Sequence, residues 1–488
     1  MSGNAPFVQR RAGLLLHPTS LPGDHGSGDL GPNAYRFIEF MAACGFTMWQ
    51  TLPLGPPHDD LSPYSAQSVH AGNPRLIALE PLIEAGWLQE DGGGQGWDYR
   101  QQRLAEAYRS FVNDGGSRHE DYIAFQAQHA YWLDDYVLYQ AIRKAHDQWA
   151  WFDWPTELRD REPEAIAAAR KDYAESIAQY TFEQFLFFQQ WITLKRYANE
   201  HGILIFGDIP LFVGYDSADV WAQREAFQLD QSGQRKVVAG VPPDYFSETG
   251  QLWGNPHYSW KAMQADGFEW WKQRIRTQFT QFDLLRIDHF RGLEAYWEIP
   301  ADADTAVHGR WQQAPGHELL NTLQQEFGEL PLVAEDLGII TDDVEALRDA
   351  HNLPGMKVLH FAFGGGANNP YLPHNHIVNS VVYTGTHDNN TTLGWFEELD
   401  ESTRAHVFGY LGGDAGQMPE LLVRTALASV ARLAIIPMQD VLKLGGEDRM
   451  NRPGTPDGNW TWQFQWEQVE PQLAGRYRSL LSMYGRIV

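Results

Sequence analysis

The feature that most constrains the fold is a series of short apolar segments that recurs along the whole chain, most of them followed by a helical pattern. They occupy residues 13–18, 46–52, 203–206, 283–287, 331–335, 355–361, 381–388 and 433–438. Parallel strands need a long crossover between them, usually a helix, and eight such units close into a barrel. The sequence therefore predicts an α/β fold, a (β/α)8 (TIM) barrel that forms a single domain over residues 1–488.

Two stretches are too long to be simple connections between strands. Residues 80–180 combine polar helical patterns with Gly-rich turns, which predicts an inserted, mainly helical subdomain. We expect a long helix to follow it over residues 181–200. Residues 210–275 form a second insertion, and its segment 238–260 is rich in prolines, glycines and aromatic residues. We expect this segment to be a long loop without secondary structure of its own, of the kind that usually carries function.

The charge balance and the single cysteine restrict the class of protein. A net charge of −26 over 488 residues argues against nucleic acids and membranes as partners, because both select basic patches. Cys44 lies at core spacing with Phe37, Phe40 and Met41 in a helical pattern, so its expected role is structural. Neither a leader-like N-terminus nor an apolar stretch of about 18 residues is present. The expectation is a cytoplasmic protein with a neutral substrate.

Carboxylates stand where three of the predicted strands end. Asp288 ends the fourth strand, Glu335 the fifth and Asp388 the seventh. A parallel barrel gathers the C-terminal ends of its strands at one face, where catalytic groups lie. Arg286 precedes Asp288 by two residues, so both side chains leave the same face of the strand and the guanidinium can hold that carboxylate ionised. Taken singly, each acid is better explained as a cap of the next helix.

The three segments read Arg-Ile-Asp-His-Phe-Arg-Gly, Ala-Glu-Asp-Leu-Gly and Thr-His-Asp-Asn. As a set they resemble the clan of retaining α-glucan enzymes, and residue by residue they are similar to the 4-α-glucanotransferases (amylomaltase, disproportionating enzyme). The resemblance extends from about Gly13 to the C-terminus. It implies Asp288 as the nucleophile, Glu335 as the acid/base and Asp388 as the group that binds the 2- and 3-hydroxyls of the sugar.

The same resemblance implies a set of substrate-binding residues. Tyr64 stands where these enzymes place a ring beside the sugar at the cleavage point, although a packed loop tyrosine is the alternative. The stretch 240–253 resembles the loop that arches over the active site, and we expect it to lie across the glycone–acceptor cleft. The predicted binding residues are Tyr64, Asp208, Asp244, Phe246, Ser247, Glu248, Gln251, Trp253, Arg286, His387 and Asn459.

Two carboxylates suffice for a retaining glycosidase, because one attacks the anomeric carbon while the other protonates the leaving oxygen. The resemblance thus implies a 4-α-glucanotransferase that acts on malto-oligosaccharides and linear α-1,4-glucans by double displacement, without a cofactor. No metal site is expected, since His-x-x-His spacing and calcium-type oxygen clusters are not evident. Asp336, next to Glu335, should face the other way and not act as the donor. Three alternatives stay open: an α-glucan hydrolase of the same clan, a catalytically silent glucan-binding barrel and, more weakly, a phosphate-binding metabolic barrel.

Overall fold

The computed structural model describes residues 7–23, 26–90, 93–243, 247–455 and 457–487. Within these ranges the strands are β1 Arg11–Leu15, β2 Met48–Gln50, β3 Leu204–Pro210, β4 Val237–Val241, β5 Gln251–Pro256, β6 Leu284–Asp288, β7 Ala295–Pro300, β8 Arg310–Gln313, β9 Leu332–Ala334, β10 Gly355–Val358, β11 Ser380–Tyr383 and β12 Leu433–Pro437. The α-helices are α1 Pro32–Cys44, α2 Glu80–Glu84, α3 Gly96–Asn113, α4 Glu120–Ala145, α5 Thr156–Arg159, α6 Pro163–Asp172, α7 Ala174–Glu200, α8 Ala218–Ala222, α9 Trp260–Ala265, α10 Glu269–Gln281, α11 Gly316–Phe327, α12 Asp342–Ala350, α13 Thr392–Glu398, α14 Glu401–Leu411, α15 Glu420–Ala428, α16 Met438–Val441 and α17 Leu473–Met483.

Eight parallel strands form one sheet in the order β10, β11, β12, β1, β2, β3, β6 and β9. The two outer strands of this sheet approach each other, because the Ala334 N–H donates to the Pro354 carbonyl with an N···O distance of 2.9 Å. The sheet is thus a nearly closed barrel with helices around it. The predicted (β/α)8 fold is confirmed.

Strand β6 shows how the barrel orients its polar residues. Leu285 and Ile287 pack outward against the helices, whereas Leu284 belongs to the cluster that fills the barrel interior. Side chains alternate along a strand, so Arg286 and Asp288 also face inward. The acid and its arginine therefore share one face, as their spacing predicts.

The seventh barrel strand is shorter than expected. β11 ends at Tyr383, so Asp388 lies in a loop and the expectation that this strand reaches the acid is wrong. The chain turns after the strand because Asn389 Oδ1 accepts hydrogen bonds from the N–H and the hydroxyl of Thr386. Such a local side-chain bond offers the backbone an alternative to the sheet.

Other strand limits also differ from expectation. β3 continues to Pro210 and so contains Asp208, because an arginine inside the barrel neutralises that carboxylate. β10 ends at Val358, where a 3-10 turn begins. β1 begins at Arg11, two residues before the expected start.

Helices α2 to α7 make up the region expected to be a helical insertion. Its core is a set of ring contacts between α3, α4 and α7, in which Phe111, Tyr122, Phe182 and Phe185 take part. Helix α7 begins at Ala174, so the expected helix start at residue 181 is wrong. The helix runs through residue 180 without a break, and the limits 80–180 stay a prediction.

A second sheet covers one side of the barrel's C-terminal face. It is antiparallel and has the strand order β5, β4, β7 and β8. The expectation that residues 238–260 lack secondary structure is wrong, because Val237–Val241 is an apolar run that pairs with β5 and with β7. Since β7 and β8 follow β6, half of this sheet lies outside the expected insertion 210–275, whose limits stay a prediction.

The opposite end of the barrel is closed by a buried arginine. β1 pairs with β12, so strands from the two ends of the chain are neighbours. Arg486 is 0% exposed and its guanidinium donates to the carbonyls of Arg11, Leu427, Ser429 and Ala431 over 2.7–3.0 Å. It thereby satisfies carbonyls at the start of β1, in the last turn of α15 and in the turn before β12.

Helix α1 has the expected packing around Cys44. Pro32 occupies its first turn, and Gly45 ends it in a left-handed conformation with φ of 89°. Cys44 is fully buried, and burial raises the pKa of its thiol to about 12. In the described ranges, no helix is both long enough and apolar enough to cross a membrane.

Candidate active site

A buried ion cluster lies at the ends of β3 and β6. Arg286 Nη1 is 2.6 Å from Asp208 Oδ2, and Arg286 Nη2 is 2.8 Å from Asp288 Oδ1. Tyr64 donates its hydroxyl to the same Asp208 oxygen over 2.6 Å. The Asp208 side chain is 0% exposed and that of Asp288 is 31% exposed. One guanidinium therefore holds two carboxylates, and Asp288 is the one that a substrate can reach.

Glu335 follows β9 directly and is tied to the chain just after β6. Its backbone N–H donates to the Ile287 carbonyl, and its carbonyl accepts from the Phe290 N–H, both over 3.1 Å. Its carboxylate accepts from the His289 N–H at 2.7 Å and from the Leu337 N–H at 3.0 Å. Main-chain bonds across two neighbouring strands thus fix the two candidate catalytic carboxylates relative to each other.

The two carboxylates differ in how strongly they hold a proton. Burial raises the pKa of Glu335 to about 7; the Arg286 charge opposes the rise, and the Asp288 charge adds to it. Burial also raises the pKa of Asp288, to about 6, and Arg286 in direct contact opposes that rise. Because Arg286 is in direct contact with the Asp288 carboxylate, Asp288 is the more readily ionised of the two and Glu335 the one that more readily keeps a proton. This is the division of labour that a nucleophile and a general acid need.

Asp388 belongs to a different environment on the other side of the cleft. Asn451 Nδ2 donates to Asp388 Oδ1 over 2.6 Å, and His387 Nε2 lies 3.3 Å from Asp388 Oδ2. Arg449 donates to the Asp388 carbonyl over 3.1 Å. Partial removal from water inside the cleft would alone raise the pKa of Asp388, but the charge and hydrogen bond of His387 and the bond from Asn451 lower it to about 2. The carboxylate is therefore ionised at any working pH and can accept hydrogen bonds from hydroxyls.

An aromatic group joins the two sides of the cleft. The Tyr64 ring stacks on the His387 ring with centroids 5.1 Å apart and planes inclined by 13°. Trp460 lies 5.9 Å from Tyr64 and 6.0 Å from His387. Because Tyr64 also bonds Asp208, one residue contacts both the ion cluster and the residue next to Asp388. Six predicted residues, Tyr64, Asp208, Arg286, Asp288, His387 and Asp388, thus form one connected group.

Trp253 reaches this group from the second sheet. It lies on β5, 39% exposed, with its ring edge-to-face against His289 at 4.8 Å and 6.2 Å from Phe212. Its Nε1 donates to Gln251 Oε1 over 3.0 Å. Since His289 also contacts Glu335, the hairpin formed by β4 and β5 is adjacent to the candidate acid/base.

The tip of this hairpin holds the remaining predicted residues of the stretch. Ser247 donates its hydroxyl to the Gly250 carbonyl over 2.8 Å, and Glu248 is exposed. Asp244 and Phe246 lie outside the described residues. Their expected role in substrate binding stays a prediction.

The Asn459 side chain forms hydrogen bonds within its own loop. Its Oδ1 accepts from the Arg452 N–H over 2.8 Å, and its Nδ2 donates to the Thr455 carbonyl over 2.9 Å. These bonds give the loop its shape next to Trp460. A direct role of Asn459 in substrate binding stays a prediction.

Asp336 is turned away from the cleft, as expected. It is buried, its carboxylate is 2.5 Å from Arg348 Nη1, and it accepts from the Met356 N–H over 2.7 Å. These contacts hold α12 and β10 against β9. Asp336 therefore has a structural environment, in contrast to Glu335 beside it.

Asp440 locks the loop that carries Asp388. The Asp440 carboxylate accepts from the hydroxyl of Thr384 at 2.6 Å and from the hydroxyl and N–H of Thr392 at 2.6 and 2.7 Å. The two threonines stand at the start and end of that loop. One buried acid after β12 therefore fixes both loop ends.

Sequence reasoning did not identify four residues that shape this site: His289, Arg449, Asn451 and Asp440. His289 directly follows β6 and Asp440 lies three residues after the end of β12, and this position near a strand end was the available signal. Arg449 and Asn451 lie in the chain shortly before Asn459, and nothing in the sequence indicates that they contact Asp388. Among the described residues, no group of three His, Cys, Asp or Glu side chains could hold a metal ion.

Comparison with known proteins bears on these assignments. A family model described as 4-alpha-glucanotransferase matches residues 16–468. A 4-alpha-glucanotransferase of Thermus thermophilus is 48% identical over 98% of this chain and 100% of its own, and one of Synechocystis sp. is 46% identical over 98% of both chains. The amylomaltase of Streptococcus agalactiae in complex with acarbose has a TM-score of 0.94 at 37% identity and covers 98% of this chain and 100% of that chain. The amylomaltase of Corynebacterium glutamicum, 18% identical with a TM-score of 0.76 over 98% of this chain and 75% of that chain, shows the same fold.

Proposed function

Because the chain belongs to the 4-alpha-glucanotransferase family, we propose that it transfers a segment of an α-1,4-glucan to the 4-hydroxyl of an acceptor glucan or glucose. Malto-oligosaccharides and linear α-1,4-glucans are the proposed substrates. The observation that carries this proposal is the pairing of Asp288, which Arg286 holds at 2.8 Å, with the neighbouring Glu335, whose pKa burial raises. That pairing supplies a nucleophile and a proton donor in one pH range.

The proposed reaction has two displacements. In the first, Asp288 attacks the anomeric carbon, the glycosidic C–O bond breaks, and Glu335 gives its proton to the departing 4-oxygen. In the second, Glu335 removes the proton from the acceptor's 4-hydroxyl, and that oxygen displaces Asp288 from the anomeric carbon. Glu335 is reprotonated and Asp288 is released, so the net change is an exchange of one α-1,4 bond for another.

Asp388 and Tyr64 have supporting roles in this proposal. An ionised Asp388 accepts hydrogen bonds from the 2- and 3-hydroxyls of the glucose unit, and these bonds strengthen as the ring distorts. Tyr64 offers an aromatic face beside the same sugar and keeps its hydroxyl on Asp208. His387 is a further donor to the sugar.

Transfer requires that a sugar acceptor compete well with water. We expect the stretch 240–253 to order the acceptor and to exclude water, with Phe246 and Trp253 as stacking faces and Asp244, Ser247, Glu248 and Gln251 as hydrogen-bonding groups. Trp253 lies beside His289, which is itself hydrogen-bonded to Glu335. This contact supports a position of the hairpin at the cleft. A cytoplasmic location and a role in maltose, starch or glycogen metabolism stay predictions from the sequence.

The test is to incubate the purified protein with maltotriose and to separate the products. Transfer gives glucose together with oligomers longer than maltotriose, whereas hydrolysis alone gives only shorter sugars. The control is Glu335→Gln, which should lose turnover of maltotriose yet still be glycosylated by an α-glucoside with a very good leaving group, because protonation is then unnecessary. Absence of longer oligomers from the native protein would reject the transferase assignment.

A further inference from the structure

The loop that carries Tyr64 has little regular structure of its own. Residues 51–73 are all described, and apart from an isolated bridge between Pro57 and Ala66 they contain neither helix nor strand. Such a segment keeps one shape only where other groups satisfy its backbone N–H and carbonyl groups. The groups that hold this loop therefore help to decide where the Tyr64 ring lies.

Gln67, which follows Tyr64 by three residues, joins the two arms of this loop. Its backbone N–H donates to the Pro56 carbonyl over 2.8 Å, and its side-chain Nε2 donates to the Pro57 carbonyl over 2.9 Å. Its own carbonyl accepts from the Ala218 N–H at the start of α8 over 2.9 Å. Gln67 therefore closes the base of the loop next to the isolated bridge and ties the loop to a helix.

The remaining group of Gln67 is bonded to helix α4. Gln67 Oε1 accepts from Gln140 Nε2 over 2.7 Å. The orientation of both amides follows from this arrangement, because only Nε2 of Gln67 can donate to a carbonyl, which leaves its oxygen for the Gln140 donor. Each polar group of Gln67 thus has a partner, and α4 contributes one of these partners.

We propose that Gln67 is a positioning residue for Tyr64 and that Gln140 holds it in place from α4. This inference rests on the proposed function, in which the Tyr64 ring lies beside the sugar at the cleavage point. Two contacts hold the Tyr64 side chain, the hydrogen bond to Asp208 and the stacking on His387. Gln67 fixes the base of the same loop, so that both contacts form without a search among loop conformations. Helix α4 thereby takes part in sugar binding indirectly.

The test replaces the Gln67 amide by an acid. Gln67→Glu keeps the size of the side chain, but an ionised carboxylate cannot donate to the Pro57 carbonyl, whereas the protonated acid can. At pH 8 the variant should have a kcat/KM for maltotriose about 10-fold below that of the native protein, the size of effect expected when a sugar-stacking ring is slightly misplaced. The ratio of variant to native should return towards one as the pH is lowered to 5. Groups present in both proteins, such as His58 and its neighbour Asp216, cancel in that ratio.

Gln190→Glu is the matched control. Gln190 lies on α7 and makes the same pair of bonds with Ala78, which stands 14 residues beyond Tyr64. Its Oε1 accepts from the Ala78 N–H over 2.8 Å, and its Nε2 donates to the Ala78 carbonyl over 3.0 Å. Both variants should lower the melting temperature more at pH 8 than at pH 5, but only Gln67→Glu should change kcat/KM.

A second background separates positioning from general destabilisation. When Gln67→Glu is added to Tyr64→Ala, it should cause no further loss of kcat/KM, because the ring through which it acts is gone. An equal loss with and without the Tyr64 ring, or an equal effect of Gln67→Glu and Gln190→Glu on kcat/KM, would overturn the proposal.

The position of Tyr64 is also measured without turnover. In protein labelled with 3-fluorotyrosine, the 19F resonance of Tyr64 is assigned by its absence in Tyr64→Phe. It should move at pH 8 in Gln67→Glu and in Gln140→Met, which removes the donor on α4, but not in Gln190→Glu. An unmoved resonance in Gln67→Glu would overturn the proposal, and an unmoved one in Gln140→Met would remove α4 from it. Failure of the transferase assignment would appear separately, as native protein that makes no longer oligomers from maltotriose.

Discussion

The two sides of the cleft are built in different ways. Asp288 is the last residue of β6 and Glu335 directly follows β9, so the sheet itself sets their positions, with one buried arginine beside them. Asp388 lies five residues beyond the end of β11, in a loop whose shape depends on side chains from after β12. The proposed reacting groups are thus positioned by the backbone, and the proposed sugar-binding acid is positioned by neighbouring loops.

The electrostatics follow the same division. On the sheet side burial raises both carboxyl pKa values towards neutrality, so small changes of pH alter the charge there. On the loop side hydrogen bonds keep the Asp388 pKa at about 2, so its charge is constant. We infer that the sheet side sets the pH dependence of the enzyme and that the loop side sets the strength of transition-state binding.

The largest effect is expected from the sheet side. Asp288→Ala should lower transfer and hydrolysis of maltotriose together by at least about 10⁴-fold, because both pass through the same covalent intermediate. Product analysis at high protein concentration measures both rates. If one activity survived while the other was lost, the hypothesis of a shared intermediate would be wrong. An unchanged circular dichroism spectrum would show that misfolding does not cause the loss of activity.

On the loop side, Asp388→Asn should lower kcat by roughly 10²–10³-fold, because the lost acceptor binds hydroxyls most strongly in the transition state. The fold should be intact, since the Asp388 side chain is about half exposed. Steady-state kinetics on maltotriose measure kcat and KM separately and so test this role. A rise in KM with kcat unchanged would place Asp388 in ground-state binding alone.

A more remote change on the loop side sharpens the comparison. Asn451→Ala should lower kcat/KM about 10-fold, because it removes a charge-assisted hydrogen bond that water can partly replace. The Asp388 pKa should rise from about 2 but stay far below neutrality, so the shape of the pH profile should not change. A shift of the pH–activity profile along the pH axis would show that the two sides of the cleft are electrostatically coupled.

The smallest expected effect is on stability. The Glu335 pKa is raised in the folded state, so the folded protein holds this proton while the unfolded chain releases it between pH 4.5 and about 7. The free-energy cost of ionising Glu335 in the folded protein is therefore absent at acidic pH and fully present above about pH 7. Glu335→Gln should therefore stabilise the protein at pH 8 by about 1–2 kcal/mol, allowing for partial exposure, and leave it unchanged at pH 4. Denaturant unfolding at the two pH values tests this, and stabilisation equal at both would contradict a raised pKa.

Local patterns in the sequence were enough to predict the barrel and its acids. Strand β6, for example, is a short and mainly apolar run that ends in an acid, so one segment of sequence identifies both the strand and the group it positions. The second sheet could not be predicted in this way. Its strands come from two separate stretches, and β8 reads Arg-Trp-Gln-Gln, without the alternation of a half-buried strand. Pairing of this kind is set by tertiary contacts and not by local propensity.

The same limit applies to the residues that support the site. Asp388 could be predicted from its motif, whereas Asn451 is 63 residues away and becomes its partner only when two loops meet. His289 stands within the motif of Asp288, but its left-handed backbone has no sequence signal. The sequence therefore proposes which groups react, and the fold shows which residues hold them in place.

The arginine at the other end of the barrel has a consequence for biosynthesis. β1 is the first of the described strands to be made, but its neighbour β12 is complete only after residue 437 has been added. Arg486, which donates to the Arg11 carbonyl at the start of β1, is made still later. Until β12 is made, the first strand has one free edge, which is exposed to pairing with other chains. The barrel can therefore close at this point only after β12 has been made, and the nascent chain carries an exposed strand edge until then.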